Sequence, residues 1–365
     1  MSTHFQIARK DLRETRVATT PAAPLQPGQV RLHVDHFSLT SNNITYGAFG
    51  DAMHYWDFFP TGDAGWGSLP VWGFADVVES QVEGVAAGER FYGYYPMSDE
   101  LVVQPARIGL ASFDDGTEHR RALPAVYNQY TRCSADRAYR ADAEAQIAIY
   151  RPLFITSFLI DDFLDETDFF GARSVVLSSA SSKTAYGTAF CLSQRRGRPS
   201  AVKVIGLTSP GNLAFTQSLG CYDELHVYGD IEKLDAQPAS VFVDFAGDAA
   251  LRARLHEHLR DTLAYSCSVG GTHVDALGSG KGLPGPKPIL FFAPDRIKKR
   301  LADWTPGGLQ RRIAESWLAF MQPVMEAKPP WLRVMRGQGP AAVEAAYRRL
   351  LDGTMDPREG YFLSL

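Results

Sequence analysis

The chain reads as an α/β protein of two domains, one β-rich and one built as a doubly wound parallel sheet. Three observations carry this. Residues 27–110 alternate short apolar runs with Gly, Pro and Asp at a period of two, as in Gln29-Val30-Arg31-Leu32-His33-Val34-Asp35-His36-Phe37 and Gly73-Phe74-Ala75-Asp76-Val77-Val78-Glu79-Ser80, which is the alternation of strands with one buried face. From about Asp142 helical patterns alternate with buried runs, Val175–Ser178, Val202–Leu207, Glu224–Tyr228, Val241–Asp244 and Thr262–Val269, the texture of a parallel sheet covered by helices. Within that region Ser174-Val175-Val176-Leu177-Ser178-Ser179-Ala180-Ser181-Ser182-Lys183-Thr184-Ala185 runs from an apolar strand through a Ser-rich turn into a helix, and a second strand follows over Ala201–Leu207. Strand, helix and strand fill one βαβ unit.

Composition narrows the class. At 365 residues the chain can bury a large core, and a net charge of -4 with a pI near 6.1 gives no reason to expect a nucleic-acid partner. Arg195, Arg196 and Arg198 cluster after a helix, where such charges cap the C-terminus and solvate the turn, with anion binding as the alternative. No apolar run approaches the roughly 20 residues needed to cross a bilayer, and Met1-Ser2-Thr3-His4-Phe5-Gln6 lacks an apolar signal core, so a cytoplasmic protein with no membrane partner is expected. Cys133, Cys191, Cys221 and Cys267 are scattered without C-x-x-C or His spacing, which predicts reduced thiols and no structural metal.

The Ser-rich turn is placed like a dinucleotide-binding fingerprint with small residues where glycines usually sit. A pyrophosphate there would meet the hydroxyls of Ser179, Ser181, Ser182 and Thr184, the Lys183 ammonium, and backbone N–H groups at a helix start. The plain alternative is an N-cap whose small residues let helix and strand pack closely. A mononucleotide P-loop is disfavoured, because Ser182 and Leu177 stand where its glycines are needed. The end of the second strand, Gly206-Leu207-Thr208-Ser209-Pro210-Gly211-Asn212, lacks the carboxylate that takes the ribose hydroxyl of NAD. Thr208, Ser209 and Asn212 are placed to donate to a 2'-phosphate instead, so NADP(H) is the expected cofactor; an ordinary turn and N-cap explain the same residues. Further on, Tyr265-Ser266-Cys267-Ser268-Val269-Gly270-Gly271-Thr272-His273 closes a strand. The backbone of Val269 and Gly270 is placed to fix a nicotinamide carboxamide, or to make a simple glycine turn.

Four other stretches complete the reading. A helix over Ala341–Leu351, then Gly353, leads to a last strand, Gly360–Leu365, expected to return to the first domain. Arg121–Phe163 mixes aromatics, Arg and Ala in helical spacing and is read as a helical elaboration over an interdomain cleft. Met53-His54-Tyr55-Trp56-Asp57-Phe58-Phe59-Pro60 concentrates aromatics in a loop, either lining a substrate pocket or packing on its own domain. Phe291-Phe292-Ala293-Pro294 is assigned to the same cleft or to a dimer edge, and Asp295, Arg296, Lys298, Lys299 and Arg300 form a charged helix, a solvated face or a phosphate clamp.

Taken in order, Gly84-Val85-Ala86-Ala87-Gly88-Glu89-Arg90-Phe91-Tyr92-Gly93, Gln217-Ser218-Leu219-Gly220-Cys221-Tyr222-Asp223-Glu224-Leu225, Val243-Asp244-Phe245-Ala246-Gly247-Asp248 and Ala345-Ala346-Tyr347-Arg348-Arg349-Leu350-Leu351-Asp352-Gly353 resemble the zinc-independent branch of the medium-chain dehydrogenase/reductase superfamily, of the quinone oxidoreductase and enoyl reductase type. The resemblance implies a GroES-like catalytic domain over residues 1–145 and 325–365, a Rossmann domain over 146–324, a nicotinamide cofactor and frequent homodimers. It puts Tyr228 where related reductases place a tyrosine near the 2'-phosphate. The strand that carries zinc ligands in the alcohol dehydrogenases reads Gly73-Phe74-Ala75-Asp76, which keeps no ligand, so no catalytic zinc is expected. The family's N-x-x-D segment appears as Thr40-Ser41-Asn42-Asn43-Ile44-Thr45-Tyr46, with Asn43 at the acid position. Tyr46 is the first candidate to support the substrate oxygen during hydride transfer, a role a phenol fills by hydrogen bonding or protonation. Tyr127, with Asn128 and Tyr130, is the second, and packing is the competing explanation for each tyrosine. The activity implied is NADPH-dependent reduction of a small conjugated carbonyl, enoyl thioester or quinone-like molecule; a ketone reductase and a non-catalytic NADP-binding sensor or scaffold are the alternatives.

Overall fold

Alternating apolar residues make most of the first half of the chain extended. A computed structural model of the protein describes residues 1–270, 281–305 and 307–365. In chain order the first strands are β1 Ser2–Ala8, β2 Asp11–Thr20, β3 Val30–Leu39, β4 Trp66–Gly67, β5 Pro70–Ser80, β6 Arg90–Pro96, β7 Glu100–Val103, β8 Pro105–Ala106, β9 Ser112–Asp115 and β10 Gln129–Arg132, with helix α1 Ser41–Ala48 between β3 and β4. Helix α2, Glu144–Glu166, leads to β11 Ser174–Leu177, α3 Lys183–Ser193, β12 Lys203–Thr208, α4 Leu213–Ser218, β13 Glu224–Val227, β14 Ser240–Asp244, α5 Ala249–Leu259, β15 Leu263–Ser268 and β16 Ile289–Leu290. The chain ends with α6 Ala293–Asp303, α7 Gly308–Glu326, β17 Arg333–Gln338, α8 Pro340–Leu351 and β18 Glu359–Ser364. Two compact units result, Met1–Tyr150 with Leu332–Leu365, and Arg151–Trp331. No helix among the described residues is long and apolar enough to cross a membrane.

The first unit holds a three-stranded sheet, β2-β1-β4, and a nine-stranded sheet in the order β17-β18-β3-β5-β6-β10-β9-β8, with β7 also paired to β3. The C-terminal strand β18 lies antiparallel to β3, Tyr361 opposite Leu39. The inward faces of the strands supply the core, including Phe5, Leu32, Phe37, Val71, Phe74, Phe91 and Tyr95, all essentially unexposed. The expectation of a continuous helical pattern over Arg121–Phe163 is corrected here. Helix α2 begins only at Glu144, and the residues before it form short turns and the sheet strand β10. The cause is Arg120, which is 1% exposed. Its guanidinium donates to Asp115 and to the Tyr130 hydroxyl at 2.9 Å, to Asn128 Oδ1 at 3.0 Å and to the Tyr127 carbonyl at 2.7 Å. A buried charge is tolerated only when paired and fully hydrogen-bonded, and satisfying this one draws the chain into an extended path.

The aromatic loop 53–60 packs on its own unit. Tyr55, Trp56, Phe58 and Phe59 are all buried, and Trp56 lies so close over Gly50 and Gly67 that a Cβ at either would come within 2.3 Å of its ring. These two positions need glycine for that close approach.

The second unit is a six-stranded, wholly parallel sheet in the order β13-β12-β11-β14-β15-β16, the 3-2-1-4-5-6 order of dinucleotide-binding folds. Between β14 and β15, helix α5 contributes Leu251, Leu255 and Leu259 to a core with Val176, Ile205, Leu207, Phe242 and Leu263. Phe291 is buried beside Phe163, ring centroids 5.9 Å apart. The charged helix α6 is tied down rather than free: Arg296 and Arg300 pair with Asp162 and Glu166, and Lys299 with Glu166 and Asp303. Arg195 pairs with Asp161 and Asp165, and Arg196 with Asp223.

One buried histidine makes this unit sensitive to acid. His256 on α5 is fully buried, with Nδ1 2.9 Å from the Pro284 carbonyl and Nε2 2.9 Å from Ser266 Oγ. Burial, and then nearby Arg252, hold its pKa below the ordinary 6.5. Below that pH the unfolded chain takes up a proton that the folded chain refuses, so stability falls as pH drops through 6.5 and the loss levels off below the folded-state pKa. Chemical denaturation at pH 7.5 and 5.5 is expected to show a loss in the wild type that is smaller in His256→Gln; an equal loss in both would exclude this histidine as the source.

Candidate functional site

The turn that follows β11 is fixed from beneath by one serine. Ser178 Oγ donates to Asp244 Oδ1 at 2.9 Å and accepts from the N–H groups of Phe245 and Ala246 at 2.8 and 3.3 Å. Asp244, 1% exposed, also accepts from the N–H groups of Ala246 and Gly247 and pairs with the buried Arg252 at 3.0 Å. The ends of β11 and β14 are thereby locked together, and the first turn of α5 is held by the same carboxylate.

Above this lock, Ser179 has φ +48°, the left-handed conformation a glycine supplies without cost. Serine adopts the shape the fingerprint needs although it lacks the usual residue. Its N–H donates to the Tyr228 hydroxyl at 3.1 Å, and burial pushes that phenol's pKa up, so it stays protonated. Ala180 is pinned on both sides, its N–H to the Leu207 carbonyl at 2.9 Å and its carbonyl receiving the Tyr222 hydroxyl at 2.7 Å. Gly206 in β12 makes room for this, because a Cβ there would come 2.9 Å from that of Ala180.

The predicted hydroxyls divide into engaged and unengaged. Ser181 Oγ accepts from Asn212 Nδ2 at 3.1 Å, so these two candidates are mutually bonded. Ser182 stands at the N-cap of α3, but its buried Oγ has no hydrogen-bond partner among the described residues. Lys183 and Thr184 open that helix and are partly exposed; the Thr184 carbonyl receives the Ser157 hydroxyl at 2.8 Å. Thr208, expected as a donor to a 2'-phosphate, is 1% exposed and its Oγ1 also lacks a partner among the described residues, so it meets a ligand only if the turn repacks. Ser209 remains partly exposed ahead of the turn Pro210–Asn212.

The structure narrows which backbone groups of Val269 and Gly270 could serve the expected carboxamide contact. Both N–H groups turn inward to the Asp244 carbonyl, at 2.8 and 3.4 Å, leaving only carbonyls for a ligand. Gly270 is required there, since a Cβ would come 2.4 Å from the Phe245 carbonyl oxygen. Gly271, Thr272 and His273, the rest of that predicted turn, lie outside the described residues. Beside the turn a cavity of about 210 Å³ is lined by Tyr228, Ala246, Asp248, Ala250, Leu251 and Arg254; Arg254 is bidentate to Glu232 and donates to the Tyr228 carbonyl at 2.9 Å.

In the first unit, Asn43 is a helix-capping residue. Its amide oxygen accepts the Thr40 N–H at 2.8 Å and its amide nitrogen donates to the Pro70 carbonyl at 2.9 Å, and it is 3% exposed. That geometry spends its amide oxygen on capping α1 and its amide nitrogen on tying α1 to β5, where a catalytic position was expected. Tyr46, three residues on, meets Tyr127 in one cluster with Tyr55, Trp72 and Tyr94. Ring centroids are 4.3 Å apart for Tyr46 and Tyr55, 6.0 Å for Tyr46 and Tyr94, and 4.7 Å for Tyr94 and Tyr127. Burial pushes the phenols of Tyr46, Tyr55, Tyr94 and Tyr127 above their ordinary range, so all four are hydrogen-bond donors at neutral pH. Residue reasoning placed Tyr55 only within the aromatic loop and missed Trp72 and Tyr94. The alternation Tyr92-Gly93-Tyr94 in β6 carried the signal, because it puts two tyrosines on one face.

Fold and site together define an α/β protein of two units, the second of which carries a dinucleotide-type sheet and turn. Solved structures share that fold over nearly the whole chain. CurA of Vibrio vulnificus in complex with NADPH matches with a TM-score of 0.59 at 14% identity, covering 96% of this chain and 94% of its own. An NADPH:quinone reductase assigned as such in Bacillus thuringiensis matches at 0.59 and 12%, over 100% and 99%. The yhdH oxidoreductase of Salmonella enterica in complex with NADP matches at 0.53 and 11%, over 100% of both chains. The fold is that of the zinc-independent medium-chain dehydrogenase/reductases, GroES-like unit and Rossmann unit included. By sequence the chain belongs to the family described as "Protein of unknown function (DUF2855)", whose model matches residues 37–356. No curated protein matches it.

The lock under the turn is testable by itself. Asp244→Asn removes the charge that faces buried Arg252 and is expected to cost about 3–5 kcal/mol of stability, read by chemical denaturation; a cost below about 1 kcal/mol would mean that the pair is not what holds β11 to β14.

Proposed function

We propose that the protein is an NADPH-dependent reductase that transfers hydride to a conjugated carbonyl, enoyl thioester or quinone-like molecule. The observation that carries the reading is the turn after β11: left-handed at Ser179, pinned at Ala180, and ending at the buried Ser182 hydroxyl, which has no partner among the described residues. An orphan donor at a helix start fits a phosphate-bearing ligand. CurA and the yhdH oxidoreductase are seen with NADPH and NADP, which supports the same choice of cofactor.

On this reading Ser182, Lys183 and the first N–H groups of α3 hold the pyrophosphate. Ser209, Asn212 and Tyr228 face the 2'-phosphate, and no carboxylate stands at the end of β12 to repel it. The cavity beside Tyr228, smaller than the roughly 300 Å³ at which drug-sized pockets begin, takes one ring-sized part of the ligand. When bound, NADPH supplies the hydride. In the first unit Tyr46 donates a hydrogen bond to the oxygen on which negative charge develops, with Tyr127 supporting it; a neutral phenol in a dry aromatic setting is a strong donor to such an oxygen. Specificity for conjugated acceptors over simple ketones follows if hydride adds to carbon while the phenol meets the enolate oxygen.

A sensor remains the second reading, favoured by one observation: Asn43 occupies the acid position and is consumed by capping. Turnover separates the two. Loss of nicotinamide absorbance is expected with enones, enoyl thioesters or quinones, and Tyr46→Phe is expected to lower kcat about 100-fold with unchanged NADPH affinity. Tight NADPH binding without oxidation by any of these, or by ketones, would establish the sensor instead.

A further inference from the structure

Arg254 is the one cation among the residues that line the cavity beside the serine-rich turn. In the free protein Glu232 engages its guanidinium: Nη2 donates to both carboxylate oxygens at 2.8 Å, and Nε to one of them at 3.1 Å. The remaining arm, Nη1, donates to the Tyr228 carbonyl at 2.9 Å. That bond ties the cation to the turn, because the phenol of the same Tyr228 accepts the Ser179 N–H at 3.1 Å.

The ion pair is placed to exchange its anion. Both side chains reach solvent, Arg254 with 43% and Glu232 with 60% of its surface exposed, and ion pairs in that setting hold their partners weakly. Arg254 holds the Glu232 carboxyl below its ordinary range, so Glu232 is an anion at neutral pH. A phosphate monoester offers the same planar fork two oxygens and up to twice the charge. The other charged group lining the cavity, Asp248, is already engaged, since its Oδ1 accepts the Ala250 and Leu251 N–H groups at 2.8 and 3.0 Å. It caps the start of α5, about 9 Å from Arg254 along the helix axis, where the positive end of the helix offsets its charge.

We propose that in the free protein Glu232 holds the place of the nucleotide's 2'-phosphate on Arg254, and that the guanidinium exchanges one anion for the other when NADP(H) binds. The inference rests on the reading of the serine-rich turn as an NADP(H) site and adds the cation that reading lacks: Ser209, Asn212 and Tyr228 supply hydrogen bonds but no charge. Arg254 keeps its charge throughout, and the Glu232 carboxylate is released to solvent. The competing explanation is a plain tie between α5 and the segment Tyr228–Lys233. A tie of that kind does not distinguish phosphorylated from unphosphorylated nucleotides.

Calorimetric titration of the wild type, Arg254→Gln and Glu232→Gln with NADPH, NADH, adenosine 2',5'-bisphosphate and 5'-AMP separates the two, with Tm measured for each protein. Arg254→Gln is expected to weaken NADPH and the bisphosphate about tenfold or more, and to change NADH and 5'-AMP by less than about twofold. Glu232→Gln is expected to tighten the first pair about threefold, because it removes the competing anion, and to leave the second pair unchanged. Opposite signs from the two partners of one ion pair are not produced by a structural tie, whose loss lowers Tm and all four affinities in both variants. Equal losses for all four ligands in Arg254→Gln, no gain for NADPH in Glu232→Gln, or a wild type that prefers neither member of each pair would overturn the proposal while nucleotide binding stands. A wild type that binds none of the four would overturn the nucleotide reading and the proposal with it. Should Arg254→Gln be too unstable to titrate, the gain or its absence in Glu232→Gln decides alone.

Discussion

The second unit depends on the buried carboxylate of Asp244. It receives the Ser178 hydroxyl from β11, two N–H groups from the segment leading to α5, and the guanidinium of Arg252 from that helix, so the two central strands of the parallel sheet end at one fixed point. In a parallel sheet the ligand crevice opens where the strand order reverses, between the first and fourth strands, and here those are β11 and β14. The geometry of the turn above is set by that lock rather than by the residues that would touch a ligand. A charged group so deep is tolerated because every contact is a charge-assisted hydrogen bond or an N–H donor.

The turn itself shows how a fingerprint survives without its glycines. Ser179 carries the left-handed conformation at a cost of about 1–2 kcal/mol, offset by the hydrogen bond from its N–H to Tyr228 and by the pinning of Ala180 on both sides. Small side chains at the remaining positions keep α3 close to β12, where Gly206 leaves space for Ala180. The hydroxyls this substitution introduces can act as donors, and the buried one of Ser182 has no partner among the described residues. Strain and unsatisfied polarity gathered at one turn are what a binding site looks like before its ligand arrives.

Much of this was legible in the residues. Period-two alternation over residues 27–110 and helical spacing after Asp142 announced the two kinds of sheet, and the strand-turn-helix run 174–185 located the turn, because local periodicity reports which face each segment buries. The path of residues 121–143 was not legible, since it follows from the long-range demands of one buried arginine, Arg120, whose partners are set by tertiary contact. For the same reason the sequence did not show that Asn43, read at the acid position, caps a helix, or that Thr208, read as a donor to a 2'-phosphate, is buried. The convergence of Tyr46 with Tyr127 was anticipated only as two separate candidates; Tyr55, Trp72 and Tyr94, which join them, come from a loop and two strands distant in sequence.

The measurement that bears most directly on the central claim is a thermal-shift titration of the purified protein with NADPH and NADH in parallel. A ligand that binds only the folded state stabilises it by mass action, by about 2.7 kcal/mol at a hundredfold excess over Kd. The turn around Ser179, and the absence of a carboxylate at the end of β12, predict a saturable rise of Tm with NADPH and a smaller one, at higher concentration, with NADH. No rise with either would contradict the account: the serine-rich turn would then serve packing alone.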